Sequence, residues 1–258
     1  MTILKISNPF NAPVYHEETV TSTMDISRRL ASDGEPHGTV ITADFQEAGR
    51  GRIRDRNWRM EEKSGLPFTI LLRYLRAEEI PSALTLRVGL AVSLAIEDFA
   101  PSMKGKVMVK WPNDIMIHSK KVSGILCEAD GGTVHIGIGI NFSQKEFPAS
   151  IREKATSIAL ASGIDLTPVE RFSLIEKILA RLFDELEEVK LDDEKWKSRL
   201  ERRLYKKDEN VVFIEGAAGS GREVKGRLAG ITGSGELLII PNGEIRPRSF
   251  ITGELTFL

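Results

Sequence analysis

The sequence predicts an α+β fold, a mixed and mainly antiparallel sheet flanked by helices, with a small β-barrel at the C-terminal end. Three observations carry this expectation. Short strands follow one another from Val107 to Asn141 with no helix between them, and strands so closely spaced pair in antiparallel or mixed sheets. Pro81 to Phe99 places Leu84, Val88, Leu90, Ala91, Leu94, Ala95 and Ile96 at helical spacing, the mark of a long core helix with Pro81 in its first turn. Beyond Lys206 the composition shifts to short β-rich runs divided by glycine turns, which predicts domains at residues 1–206 and 207–258, the second a small barrel.

The elements follow in order. Val14 to His16 is extended, and Ser22-Thr23-Met24-Asp25 opens a capped helix that ends at Asp33-Gly34 and Pro36. Thr39 to Asp44 is β-branched and strand-like, as is Phe68 to Arg73. After the core helix come strands at Val107–Trp111, Ile115–His118, Lys121–Glu128 and Thr133–Asn141. Pro168 to Val189 and Glu194 to Tyr205 read as amphipathic helices. The last strands are Val211–Ile214, Val224–Leu228, Glu236–Ile240 and Glu254–Leu258, with Pro241-Asn242-Gly243 as a hairpin signal.

Charge and cysteine content narrow the function. The 258 residues carry 36 basic and 37 acidic side chains, a formal net charge of -1, and the isoelectric point is near 6.5. Nucleic-acid and membrane-surface binders carry a broad basic field, so neither nucleic acid nor membrane is an expected partner. The single cysteine, Cys127, excludes an intramolecular disulfide, and no Cys/His pairs stand at zinc-ligand spacing. A reducing, cytoplasmic setting is expected. The N-terminus lacks a basic, apolar leader, and no window reaches the roughly 18 apolar residues of a membrane span.

Two glycine patterns resemble nucleotide loops without their chemistry. Gly216-Ala217-Ala218-Gly219-Ser220-Gly221-Arg222-Glu223 has P-loop spacing but no Lys-Ser/Thr pair, and strand follows it. Gly137-Ile138-Gly139-Ile140-Asn141 lacks a third glycine and a following helix. Its alternate glycines instead leave one strand face without side chains, for a ligand or for a crowded core. Cys127 has no histidine beside it in sequence and reads as a structural thiol.

Local charge is harder to set aside. Arg50, Arg52, Arg54, Arg56 and Arg59 cluster around one acid, Asp55, with Gly49 and Gly51 loosening the backbone and Trp58 offering a stacking surface. Such a run is either a solvated loop or a grip on phosphate and carboxylate. Lys110-Trp111-Pro112-Asn113-Asp114 sets a lysine at the end of an apolar strand before an abrupt turn; that lysine either snorkels or aims at an anion. Asp114 could help hold a metal or only cap the turn. Lys121-Val122-Ser123-Gly124 repeats a lysine followed by small residues.

Taken together and in order, Ser22-Thr23-Met24-Asp25, Gln46 with Gly49-Arg50-Gly51-Arg52, Trp58, Lys110 to Asp114, Lys121 to Leu126 and Gly137 to Asn141 resemble the biotin protein ligase family. The resemblance spans nearly the whole chain. It implies a class II synthetase-like catalytic domain with an SH3-like C-terminal barrel. It also implies a two-step reaction: biotin and ATP give biotinyl-5'-AMP and pyrophosphate, and a lysine of a biotin carboxyl carrier domain then takes the biotinyl group. By this resemblance Lys110, Arg50 and Arg52 are catalytic. Ser22, Thr23, Gln46, Gly49, Lys110, Gly124, Gly137 and Gly139 bind biotin. Arg50, Arg52, Trp58, Lys110, Asn113, Lys121 and Asn141 bind ATP or the adenylate, and Asp114 is the candidate ligand of Mg²⁺.

The loop departs from the family pattern after Arg52, where Ile53 to Asn57 makes it one residue longer. Only about 20 residues precede Ser22, too few for a three-helix DNA-binding domain, so a ligase without repressor activity is expected. A lipoate or octanoate ligase or transferase of the same fold, and a non-turnover biotin-binding module, are the alternatives. A homodimer and a monomer are both compatible with the sequence; an edge strand near Val134 to Asn141 could pair across a two-fold axis.

Overall fold

The computed structural model describes residues 1–52, 62–189, 195–216 and 221–256. Trp58, Arg54, Arg56 and Arg59 lie outside the described residues.

An eight-stranded sheet runs in the order β1-β2-β3-β4-β8-β7-β6-β5. Its N-terminal half is β1 (Thr2–Ile3), β2 (Val14–Val20), the crossover helix α1 (Thr23–Ser32), β3 (Thr39–Gln46) and β4 (Gly65–Arg73). β2 and β3 are parallel, the geometry a helical crossover between strands permits. The core helix α2 (Leu84–Phe99) follows, then β5 (Val107–Lys110), β6 (Asp114–Ile117), β7 (Lys120–Asp130) and β8 (Thr133–Asn141), all antiparallel to their neighbours. α3 (Ile158–Ser162), α4 (Arg171–Val189) and α5 (Lys195–Glu201) complete this part of the chain.

The core helix begins three residues later than its apolar pattern predicts. Ala83 precedes it with φ 54°, a left-handed backbone that a right-handed helix cannot pass through, so Pro81 sits outside the first turn. α2 is buried along most of its length, with Val88, Leu90, Val92 and Ile96 at 0% exposure. It packs on α4 and on strands β5, β6 and β7. Arg87 of α2 and Glu185 of α4 form a buried ion pair at 3.3 Å, with the Arg87 guanidinium 4.5 Å from the Trp196 ring of α5. Burial raises the Glu185 pKa above the usual carboxylate value. A carboxylate buried that deeply is retained only with its cations in place.

The expectation that Val134–Asn141 forms a sheet edge is corrected by the topology: β8 lies between β4 and β7. The sheet's edges are β1 and β5. The β5 edge is partly covered, because Val109 N–H donates to Arg203 O at 2.8 Å and Tyr205 N–H to Val109 O at 2.9 Å, which removes pairing groups from solvent.

The second sheet is five-stranded and antiparallel, in the order β12-β11-β10-β9-β13. Its strands are β9 (Asn210–Glu215), β10 (Arg222–Ile231), β11 (Leu237–Pro241), β12 (Arg248–Phe250) and β13 (Gly253–Thr256). It meets the first sheet at Trp111: the indole Nε1 donates to Gly235 O at 3.0 Å, and the ring stands 5.9 Å from that of Phe213. Gly235 (φ +88°) is required there, since a Cβ on it would lie 2.6 Å from the Ala83 Cβ.

Candidate functional site

The start of α1 and the end of β3 form one wall of a cleft. Ser22 is the N-cap, its side chain accepting from Met24 N–H at 3.3 Å. Capping turns the next residue inward, and Thr23 is buried. Its backbone N–H and its hydroxyl both donate to Gln46 Oε1, at 2.8 and 3.0 Å, and Thr69 Oγ1 donates to Thr23 Oγ1 at 2.9 Å. Gln46 is thereby fixed with its amide oxygen occupied. Asp44, two residues earlier on β3, is held by His16 at 2.6 Å and by the buried Arg171, which anchors the strand that presents Gln46.

The floor is a patch of sheet without side chains. Gly124 of β7 stands opposite Gly139 of β8, and Gly137, on the same face two residues on, stands opposite Leu126 and, across β4, Thr69. Alternation along a strand makes these three glycines face one side. A Cβ on Gly137 would come within 2.8 Å of the Met24 Sδ, so the backbone there is the surface against which α1 and any ligand must fit.

Cations complete the cleft, which contains about 510 Å³ of space, part of it open to solvent. Arg50, Arg52 and Lys121 are in its lining, together with Asn113, and the described lining holds no carboxylate. Arg50 Nη2 reaches Asp25 Oδ1 at 2.5 Å, and Arg52 Nη2 donates to Gly253 O of the second sheet at 3.0 Å. Lys121 Nζ lies 2.6 Å from Asp114 Oδ1. Three positive side chains, with no acid among the described lining residues, fit an anionic small molecule.

The predicted residues divide accordingly. Ser22, Thr23, Gln46, Arg50, Arg52, Asn113, Lys121, Gly124, Gly137 and Gly139 come together in the cleft. Asn113 supports it from behind as well, its Nδ2 donating to Ile125 O at 2.8 Å. Lys110 ends β5 buried, at 6% exposure, opposite Asp114 and outside the described lining. Gly49 is buried beside Arg50. Asn141 is also outside the lining; its Nδ2 donates to Thr156 O at 3.0 Å and ties the end of β8 to the following loop.

Sequence reading placed Met24 and Asp25 in the motif that opens α1 but gave neither a role of its own in the site. Their signal was weak because their partners, Gly137 and the arginine loop, lie far away in the chain. Burial pushes the Cys127 thiol up to about 11, against a hydrogen bond from Thr85 that lowers it. That supports a structural thiol. His135 of β8 is bonded through Nδ1 to Ser27 Oγ at 2.8 Å, and burial lowers its pKa.

Asp114 is engaged by Lys121, and among the described residues no group of three or more His, Cys, Asp or Glu is placed to hold a metal ion. No described helix is long and apolar enough to cross a membrane.

Comparison with known proteins agrees with this geometry. Residues 17–143 match the Biotin/lipoate A/B protein ligase family. The biotin protein ligase of Aquifex aeolicus, solved in complex with biotin and ATP, superposes with a TM-score of 0.77 at 31% identity, over 94% of this chain and 97% of that one. The bifunctional ligase/repressor BirA of Bacillus spizizenii is 35% identical over 172 residues, 64% of this chain and 50% of that protein. The biotin–[acetyl-CoA-carboxylase] ligase of Mycobacterium tuberculosis is 31% identical over 174 residues, 66% of this chain and 60% of that protein. The chain spans about half the length of the first curated relatives it matches. With a motif order, a fold and a cleft that all agree, the chain belongs to the Biotin/lipoate A/B protein ligase family, among its biotin protein ligases.

Proposed function

We propose that this protein is an ATP-dependent biotin protein ligase that activates biotin as biotinyl-5'-AMP and transfers it to a lysine of a biotin carboxyl carrier domain. The observation that carries this reading is the cleft itself, a flat glycine floor and neutral polar wall beside three cations, with no carboxylate among the described lining residues.

The first step joins two anions. A biotin carboxylate oxygen attacks the α-phosphorus of ATP, a P–O bond forms, and the bond to the β-phosphate breaks to release pyrophosphate. Coulomb repulsion opposes the approach, so fixed cations both position the reactants and stabilise the charge that accumulates on the phosphoryl oxygens. Lys110, buried at the end of β5, is assigned to the carboxylate and α-phosphate. Arg50 and Arg52 close on the adenylate, and Lys121 with Asn113 faces its ribose and phosphate side. In the second step a neutral lysine amine attacks the acyl carbon and gives up one proton to solvent, an amide forms, and AMP leaves with the bonding pair and the mixed-anhydride oxygen.

Biotin's neutral ureido ring suits the wall. Gln46 has its Oε1 filled by Thr23, which leaves its N–H₂ to donate to the ureido oxygen, while Ser22 contributes a hydroxyl. Gly124, Gly137 and Gly139 let the fused rings lie flat. Mg²⁺ bound with the nucleotide would offset phosphate charge, and Asp114 is the residue that would help hold it. The second sheet is read as an SH3-like barrel and residues 207–258 as a separate domain; cytoplasmic location and a carrier-protein partner follow from the same assignment.

Incubation with ATP, labelled biotin and a carrier domain tests the reading. Label should appear on the carrier lysine only with ATP. Transfer of labelled lipoate in its place, or adenylate held without transfer, would contradict it.

A further inference from the structure

Asp25 stands one residue past the buried Thr23–Met24 pair, on the first turn of α1. A first-turn acid is expected of any helix, where it complements the dipole. Here it has a second engagement. A single oxygen, Asp25 Oδ1, accepts from Arg50 Nη2 at 2.5 Å and from Arg28 Nη1 at 2.9 Å. Arg28 in turn bonds Glu128 of β7 through its other terminal nitrogen. The ion pairs form a chain from the cleft loop through α1 to the strand that carries Gly124.

We propose that Asp25 is a positioning residue for adenylate formation, holding Arg50 of the arginine loop beside the cleft; this rests on the ligase reading above. The contact is a one-point tether. It uses one terminal nitrogen of Arg50, and no bond of its Nε or Nη1 is made among the described residues, so those donors stay available to a phosphate. Without Asp25, a long side chain on a loop containing Gly49 and Gly51 samples many rotamers, and ordering it costs part of the binding free energy. Arg28 matters because it fixes the carboxylate that fixes Arg50.

The size of the effect is bounded by exposure. The Arg50 and Asp25 side chains are 42% and 47% exposed, and pairs of this kind contribute little in solution. A rise of about threefold to fivefold in the KM for ATP on Asp25→Asn is therefore expected, with kcat less affected. The experiment is biotin-dependent ATP–pyrophosphate exchange on the full chain for wild type, Asp25→Asn, Asp25→Glu, Arg50→Ala and the double variant Asp25→Asn/Arg50→Ala.

The proposal expects Asp25→Asn to add nothing once Arg50 is gone, Asp25→Glu to recover part of the loss, and Glu128→Gln to produce a smaller rise in the same direction. Fully additive losses in the double variant, or a lower KM in Asp25→Asn, would overturn it. A variant with a reduced Tm and unchanged KM would also overturn it, since that is a purely structural role. Absent exchange in wild type would refute the ligase reading itself, whereas exchange in wild type with additive losses would refute only the role of Asp25.

Discussion

The glycine wall and the arginine loop line the same cleft and are held in different ways. Along the wall the polar groups tie one another down: Thr69 bonds Thr23, Thr23 bonds Gln46 twice, and Thr23 is buried at 3% exposure. Along the loop each described arginine is held by a single contact among the described residues, Arg50 to Asp25 and Arg52 to the Gly253 carbonyl. Buried neutral networks in low dielectric are rigid and specific, whereas exposed guanidinium groups keep their donors until an anion arrives. The difference assigns recognition of the uncharged ring to the wall and recognition of phosphate to the loop.

Lys110 tests whether fixing a charge matters more than merely having one, because it is a cation buried at the end of β5 and not on the exposed loop. Lys110→Ala should lower pyrophosphate exchange by at least about 100-fold, the loss typical of a preorganised charge-stabilising group. Normal turnover would remove it from the chemistry and leave the loop cations and Lys121 to act alone.

Gly137→Val probes the wall's flatness. A side chain there meets the Met24 sulfur at 2.8 Å and also rises into the cleft. Met24 can move, the ligand's rings cannot, so the biotin KM should rise about tenfold or more while the KM for ATP changes little. A parallel rise in both would mean that the floor is shared between the two substrates.

Thr23→Val removes one of the two bonds that orient Gln46 and the acceptor for Thr69. Steady-state kinetics should give a biotin KM about fivefold higher, in keeping with a lost hydrogen bond of ~1 kcal/mol.

The smallest effect belongs to His135, which lies under α1 outside the cleft. Its pKa is lowered on folding, mainly by burial, so the unfolded chain binds more protons near pH 6. Its contribution is therefore complete above the unfolded value of about 6.5 and is lost as pH falls through the depressed folded value. Tm measured from pH 7.5 to pH 5 should fall by a few degrees, about 2–4 °C per kcal/mol for a chain of this size, and His135→Asn should flatten that part of the curve.

How much of this was readable before the structure depends on whether the signal is local. The α1 cap at Ser22, the β8 span Thr133–Asn141 and the alternate glycines depend on neighbouring residues, and each reappears in the fold. The start of α2 was misplaced because one left-handed residue, Ala83, overrides an apolar pattern. α3 and β12, with five and three residues, were too short to show a period. The neighbours of β8 are set by sheet order, which no strand's own sequence states, hence the corrected edge. In the site, residue types pointed to anion binding, but Asp25 and Met24 acquire their roles only through contacts with Arg50 and Gly137, 25 and 113 positions away.

The division of labour between wall and loop is tested most directly by calorimetric titration of wild type and Arg52→Ala with biotin and with a non-hydrolysable biotinyl-adenylate analogue. Arg52→Ala should bind the analogue about tenfold more weakly, the cost of a lost charge-assisted contact, while biotin affinity stays within about twofold. Equal losses for both ligands would contradict the account.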